Sequence, residues 1–303
     1  MEEFLVPDGD EGERIDRYLS AACGDVSRSY LQRLLKEGRV LANHKPVKAS
    51  YRVQEGDLIQ LEIPQAVEPE ILAEPMDLDI LYEDSDIILI NKPKGMVVHP
   101  AAGHYTQTLV NGLMYHCKGQ LSGINGVLRP GIVHRIDMDT TGVIIACKND
   151  AAHNSIAAQL KEHSITRRYE AIVHGVIKEE EGTVDAPIGR HPTDRKRMSI
   201  NDKNGKAAVT HYRVKERFRQ FTYIECRLET GRTHQIRVHM ASLHHPLLGD
   251  AVYGPSRCPV PGLRGQTLHA GILGIRHPRT GEYMEFCAPL PEYFKNLLAS
   301  LPR

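Results

Sequence analysis

The feature that most restricts how this chain can fold is the way its charges are sorted along it. Between Arg14 and Arg52 there are nine lysines and arginines against three acids, a local net of +6, whereas from Glu55 to Asp86 there are eleven acids and no lysine or arginine. Over all 303 residues 38 basic side chains cancel 38 acidic ones, so the neutral total is a sum of opposed blocks. The acidic stretch also carries Pro64, Pro69 and Pro75, and proline with like charge favours an extended, solvated connection over a packed element. This divides the chain into a small first domain at 1–63, an acidic linker at 64–79 and a second domain at 80–303. At roughly 150 residues per domain, the length is also that of about two domains.

The first domain is patterned. Ile15, Tyr18 and Leu19 share one helical face, and Ser27 is a candidate cap for a second helix holding Tyr30, Leu31, Leu34 and Leu35. Gly38 ends that helix, and short strands follow, broken at Asn43-His44 and Gly56-Asp57. Arg28, Arg33, Lys36 and Arg39 gather on and just after the second helix. They form either a polyanion-sized cation group or a solvated helix face.

In the second domain Ile87–Ile90 reads as a buried strand, Thr108 to Tyr115 as a helix, and both GIVHRID (131–137) and GVIIACK (142–148) as strands. Asn149 or Asp150 caps a helix carrying Ile156 and Leu160. Alternating segments follow at YEAIVHG, AAVTHYRV and TYIECRLE. Strands in succession predict an α+β fold with a mainly antiparallel mixed β-sheet and flanking helices.

Several classes of protein are excluded. No apolar run approaches the ~20 residues that span a bilayer, and the acidic start MEEFLVPDGDEGERID lacks a basic segment followed by an apolar core. An intracellular, cytoplasmic protein without membrane association is expected. Six scattered cysteines with no C-x-x-C pair read as reduced thiols. His234, His239, His244 and His245 lack the H-E-x-x-H spacing of a zinc site, and there is no P-loop or G-x-G-x-x-G. No metal and no cofactor are expected, and no obligatory protein partner is inferred.

Two constellations remain. His134-Arg135-Ile136-Asp137-Met138-Asp139-Thr140-Thr141-Gly142 lies between two apolar strands, an expensive place for charge unless it opens on a cleft; the alternative is a polar turn. Its D-x-D-x-T spacing is shared with metal-dependent aspartyl-phosphate phosphatases, but His134 and Arg135 interrupt the apolar strand expected there, and no convincing downstream acidic pair for a metal follows. The second constellation, Glu229 to His239, turns at Gly231 into a helix-like run with Arg232 near its start. Arg232 is placed there to meet a carboxylate, whether as a structural bridge or to keep a nucleophilic acid ionised.

Together these motifs resemble the RluA-type RNA pseudouridine synthases, in the branch with an N-terminal S4 RNA-binding domain. SRSYLQRLLKEGRV resembles the S4 signature, and NKPKGMVVHP, HRIDMDTTGV, RRYEAIVHG, TGRTHQIRVHM and HHPLLGDAVYG follow in the family's order over nearly the whole chain. Ile136, Thr141, Val143 and His244 depart from the common residues. The resemblance implies isomerisation of specific uridines in structured RNA, most naturally large-subunit ribosomal RNA, without cofactor. It assigns Asp137 as the catalytic aspartate, Tyr169 as the tyrosine against the base, and Arg232 as the arginine paired with the aspartate. Arg135 becomes the residue that fills the stack when the target is extruded, with His134 beside it on the RNA. Arg28, Arg33, Lys36 and Arg39 become phosphate contacts.

Overall fold

The structure, a computed structural model, describes all residues except 1, 24, 25, 27, 64–70, 102, 125–129 and 195, together with the side chain of Ser29. The expected cap Ser27 and the first half of the expected linker therefore lie outside the described residues. The chain divides into two compact units, Met1–Glu68 and Pro69–Arg303.

The first unit contains β1 (Glu2–Leu5), α1 (Ile15–Ala22), α2 (Arg28–Lys36), β2 (Val40–Ala42), β3 (Lys45–Pro46) and β4 (Leu58–Leu61). Its antiparallel sheet has the order β1-β4-β2-β3. Asn43 and His44 both have positive φ (49° and 62°), the two-residue turn whose twist suits a hairpin. Ile15, Leu19, Leu31 and Leu34 are fully buried with Ile59 and Leu61, at about 1.5–3 kcal/mol of hydrophobic stabilisation each.

The second unit continues with β5 (Ile80–Glu83), β6 (Ile87–Lys92), α3 (Leu109–Cys117), β7 (Thr141–Cys147), α4 (Asp150–Lys161), β8 (Thr166–His174), β9 (Glu181–Asp185), β10 (Ile188–Arg190) and β11 (Met198–Ile200). It closes with β12 (Val209–Arg217), β13 (Phe221–Leu228), α5 (Gln235–Ser242), β14 (Leu268–Arg276), β15 (Tyr283–Cys287) and α6 (Glu292–Ser300). Nine strands form one sheet in the order β5-β6-β7-β14-β8-β13-β12-β9, with β15 also on β14. Its registered pairs are antiparallel except β7 with β14. The expected α+β architecture is observed.

Alternation along the strands buries both faces. Ile88 and Ile90 pack on α3 through Leu109, Val110 and Leu113, while Ile87 and Leu89 pack towards Ala152 and Ile156 of α4. Ala171 and Val173 of β8 meet Ile236 and Met240 of α5, and Ile172 faces Phe294 and Leu297 of α6. The solvated linker expected as far as residue 79 gives way earlier. Ile71 is buried in the α3 core, and Asn111 binds both sides of the segment, donating from Nδ2 to the Leu72 carbonyl at 2.8 Å and accepting from the Glu74 amide at 3.0 Å.

The parallel pair positions the site. β7 and β14 share only the registered pairs Thr141–His269 and Gly142–Ala270. Beyond them the β14 edge is occupied by β15 from Ile272 onward. The β7 edge is occupied by the segment before Asp137: Ile132 bridges Ala146, the Cys147 amide donates to the Gly131 carbonyl at 2.8 Å, and the Ile145 amide donates to His134 Nε2 at 3.1 Å. GIVHRID is thus an extended strap closed partly by a side chain, and not the regular strand that its sequence predicts. At the crotch of this fork Gly142 has φ +107°, and a Cβ there would overlap the Ala270 carbonyl. Gly142→Ala is expected to destabilise this unit by about 2–5 kcal/mol through strain and overpacking, read as a lowered calorimetric midpoint.

Candidate active site

The strap delivers Asp137 to the wall of a cleft of about 320 Å³, lined among others by His134, Arg135, Arg167, Tyr169, Arg232, His234 and Arg237. Strand geometry brings Tyr169 in from β8, on the same face as Ala171 and Val173 that meets α5. The turn after Asp137 is fixed from below by Lys92, which is fully buried at the end of β6. Its ammonium donates to the carbonyls of Pro93, Met96 and Met138, each at 2.9 Å, and the Met138 carbonyl also accepts from the Gly95 amide at 2.9 Å. Burial pushes Lys92 down to about 7, against the opposing pull of Asp139 and Asp137.

The arginine that meets Asp137 is Arg237, and not Arg232 as expected. Arg237 Nη1 donates to Asp137 Oδ2 at 2.8 Å. Its other edge is held by Asp250, with Nε to Oδ2 at 2.7 Å and Nη2 to Oδ1 at 3.0 Å, and Asp250 Oδ1 also accepts from the amides of Val252 and Tyr253. Burial favours the neutral forms of both partners. For Asp250 it is outweighed by Arg237 and the two amides, which hold the carboxyl below its ordinary range; for Arg237 it is outweighed by the two aspartates. Arg232 lies before α5 and donates from Nε to the Ala207 carbonyl at 3.0 Å, while its own amide donates to Gln235 Oε1 at 2.9 Å. The helix therefore starts three residues later than a run beginning at Arg232, with His234 at its N-cap in the left-handed region (φ 57°). That kink turns Arg237 inward and leaves Arg232 on the cleft wall.

His234 closes the other side of the carboxylate, with Nε2 3.9 Å from Asp137 Oδ2 and Nδ1 2.9 Å from the Tyr253 hydroxyl. Burial lowers its pKa, with Asp137 opposing. Tyr253 accepts from the Met198 amide at 2.8 Å, and its ring lies beside the Arg237 guanidinium, 5.1 Å from the centroid. Tyr169 is pushed above the ordinary tyrosine range by burial, with Arg167 opposing and Asp137 adding. Arg135 is exposed at the rim. His134, expected on RNA, uses Nε2 to accept from Ile145, and burial with nearby Arg167 pushes it down to about 4. It is a strut of the strap.

The expected phosphate contacts of the first unit are unequal. Asp16 is fully buried and accepts from Arg14, Arg28 and Gln32. Burial raises its pKa, but those donors outweigh burial and hold it well below the carboxylate range. Arg28 thus ties α2 to α1 and is not a free phosphate contact. Arg39 pairs with Glu62 at 2.9 Å, and Arg33 lies 3.8 Å from Glu37 and 4.7 Å from the Tyr30 ring centroid. Arg33 and Lys36 are exposed.

Sequence reasoning missed Arg237, Asp250, His234 and Arg167 as site residues. Arg237 and His234 stand in the quoted TGRTHQIRVHM string and Asp250 in HHPLLGDAVYG, so the signal was an unassigned charge within each motif.

Comparison with known proteins adds to this geometry. A family model described as RNA pseudouridylate synthase matches residues 86–242, and an S4 domain model matches 13–59. The chain is 55% identical over 299 residues to an uncharacterized RNA pseudouridine synthase of Bacillus subtilis strain 168, covering 99% of this chain and 97% of that protein. It is 45% identical over 302 residues to ribosomal large subunit pseudouridine synthase D of Zymomonas mobilis subsp. mobilis, covering 95% of each. The solved structure of human RNA pseudouridylate synthase domain containing 1 superposes with a TM-score of 0.58 at 27% identity, over 76% of this chain and 98% of that one.

The depressed pKa of His134 has a thermodynamic sign. Between its folded value of about 4 and the ordinary value near 6.5, the unfolded chain holds a proton that the folded chain does not. His134 therefore contributes stability above that window, which is lost as pH falls through it. Denaturant unfolding at pH 7 and pH 5 is expected to show a smaller acid loss for His134→Gln than for the unaltered protein.

Proposed function

Since this chain belongs to the RNA pseudouridylate synthase family and carries an S4 domain, it is an RNA isomerase, and we propose that it converts specific uridines of large-subunit ribosomal RNA to pseudouridine with Asp137 as the reacting carboxylate. The observation that carries this reading is the Asp137 carboxylate at the wall of a cleft, fixed by an arginine that is itself fixed by a buried second aspartate. The relative of Zymomonas mobilis named for the ribosomal large subunit supports the substrate class. Among the described residues no helix is long and apolar enough to cross a membrane, and the cytoplasm, where ribosomal RNA resides, is the proposed place of action.

The chemistry follows from the placement of these groups. A base stacked in RNA must be extruded before a carboxylate can reach its sugar, at a cost of roughly a few kcal/mol. Arg135, exposed at the rim, fills the vacated stack with its guanidinium plane. Arg237 orients Asp137 and supplies its counter-charge. Tyr169 forms the floor on which the detached base turns from N1 to C5. With the RNA seated over its open side, the cleft keeps the base from diffusing away between the two bonds. Arg33 and Lys36, with Arg39 after exchange of its surface acid, supply shape-directed phosphate affinity.

The direct test is pseudouridine mapping of a large-subunit ribosomal RNA transcript after incubation with the purified protein. Asp137→Asn is expected to abolish product while RNA binding persists; robust turnover by that variant would sink the assignment. Arg237→Lys keeps the charge but loses the two-sided grip, and is expected to lower single-turnover rate by about a hundredfold or more, whereas Arg232→Lys costs less than about tenfold. Deleting residues 1–63 is expected to weaken binding to structured RNA and flatten its dependence on log salt concentration, measured by filter binding across a salt series.

A further inference from the structure

Arg167 is a buried guanidinium in the cleft that the steps above leave unused. It lies two residues before Tyr169 on β8, on the same strand face, and is 6% exposed. Nη2 donates to the Glu229 carbonyl at 2.8 Å, a neutral partner, while Nε is buried with no hydrogen-bond partner. Gly231 lies close against it: a Cβ there would be 2.5 Å from Nη1. Arg237 in the same cleft is matched by two aspartates. For Arg167, burial disfavours the protonated form, with Tyr169 opposing and the like charge of Arg232 adding to the effect of burial. A buried cation with an unused donor, facing a cavity and held from two sides, is built to receive an anion.

The reaction supplies one at that depth. When the bond from C1′ to N1 of uridine breaks, its electron pair leaves on N1 and spreads onto O2 and O4 of the base. This is so whether C1′ bonds to Asp137 or C2′ gives its proton to Asp137. When C5 attacks C1′, the bond from C1′ to Asp137 breaks with its electron pair returning to the carboxylate, or on the other route C2′ takes its proton back from Asp137, and the base is left neutral with N1 doubly bonded to C6. The C5 proton then passes to a base, which returns the charge to N1 until N1 takes up a proton and the neutral isomer remains. We propose that Arg167 is a catalytic residue that donates N–H groups to a carbonyl oxygen of the departing uracil and carries its negative charge while the ring turns. A backbone phosphate is the other source of the same oxyanion chemistry. Against that source, Arg167 is buried within the cleft that Tyr169 and His134 also line, whereas the rim is exposed at Arg135.

The inference rests on the uridine isomerisation proposed above, and the unaltered enzyme separates the two: if it forms no pseudouridine on the transcript, that reading fails before Arg167 is tested. With an active enzyme, Arg167→Met and Arg167→Lys are compared in single-turnover assays with enzyme in saturating excess, on transcripts carrying uridine or 5-fluorouridine. 5-Fluorouracil is a more acidic leaving group, whose anion needs less stabilisation. Arg167→Met is expected to lose about 10²–10³-fold in glycosidic cleavage on uridine, several-fold less on 5-fluorouridine, with RNA affinity within about twofold, and Arg167→Lys is expected to recover part of the rate. Circular dichroism and the thermal midpoint of both variants check folding. An equal loss on both nucleotides in folded variants, an unchanged rate, or a weakened RNA affinity with an unchanged saturating rate would overturn the proposal, the last assigning Arg167 to a phosphate. Should Arg167→Met fail to fold, the Arg167→Lys ratio between the two nucleotides decides alone.

Discussion

The second unit is organised around a single guanidinium. Arg237 makes two bonds to the fully buried Asp250 and one to the cleft-facing Asp137. A buried ion pair contributes little net stability because desolvation offsets the attraction, yet breaking one side costs about 3–5 kcal/mol since a bare charge is left behind. The triad therefore specifies position more than it adds stability. Asp250, tied to two amides of the following turn, acts as the fixed point, and Asp137 is located relative to it through a rigid planar group. The chain meets this demand with a left-handed residue, His234, that resets the start of α5 so that residue 237 points inward.

The fork between β7 and β14 does the complementary work on the other side. Two parallel strands that meet for two residue pairs and then part leave two unpaired edges, which would be costly if buried bare. β15 satisfies one and the strap of residues 131–134 satisfies the other. The strap ends where the strands meet, so Asp137 emerges at the narrowest point of the fork with its following turn anchored on Lys92. Backbone pairing, a buried lysine and an ion triad thus converge on one carboxylate from three independent elements.

Much of this was legible in the sequence, for physical reasons that can be stated. A charged string flanked by apolar segments pointed either to a cleft or to a polar turn, and Asp137 lies on a cleft. The helix near Thr108, the alternating strands and the carboxylate–arginine pairing idea all rest on local periodicity or charge complementarity, which a sequence displays. Which arginine pairs was not displayed. Arg232 and Arg237 differ by five positions in a helix-like run, and the choice depends on a positive φ at a histidine, a conformation that no side-chain pattern announces. The strap read as a strand because an extended chain has strand periodicity whether its hydrogen bonds come from a neighbour's backbone or from an imidazole. Arg28 read as a surface cation because its partner, Asp16, lies twelve residues away on another helix. Arg167 went unremarked because a basic residue next to Arg168 in a strand looks like solvated charge, and only alternation with burial separates the two.

The pairing of cations with acids in the first unit has a consequence for how it would exchange partners. Arg39 rests on Glu62 and Glu37, and Arg33 on Glu37, so a phosphate arriving at either must displace a carboxylate, which then recruits a sodium or potassium ion of its own. The ions released from the nucleic acid are partly recaptured by the protein. Binding at such a surface is an exchange of anions around fixed cations. Were RNA bound there, its thermodynamic ion count would be smaller than the number of basic side chains engaged, and a chain with no net charge would hold a polyanion at selected points while remaining indifferent to it elsewhere.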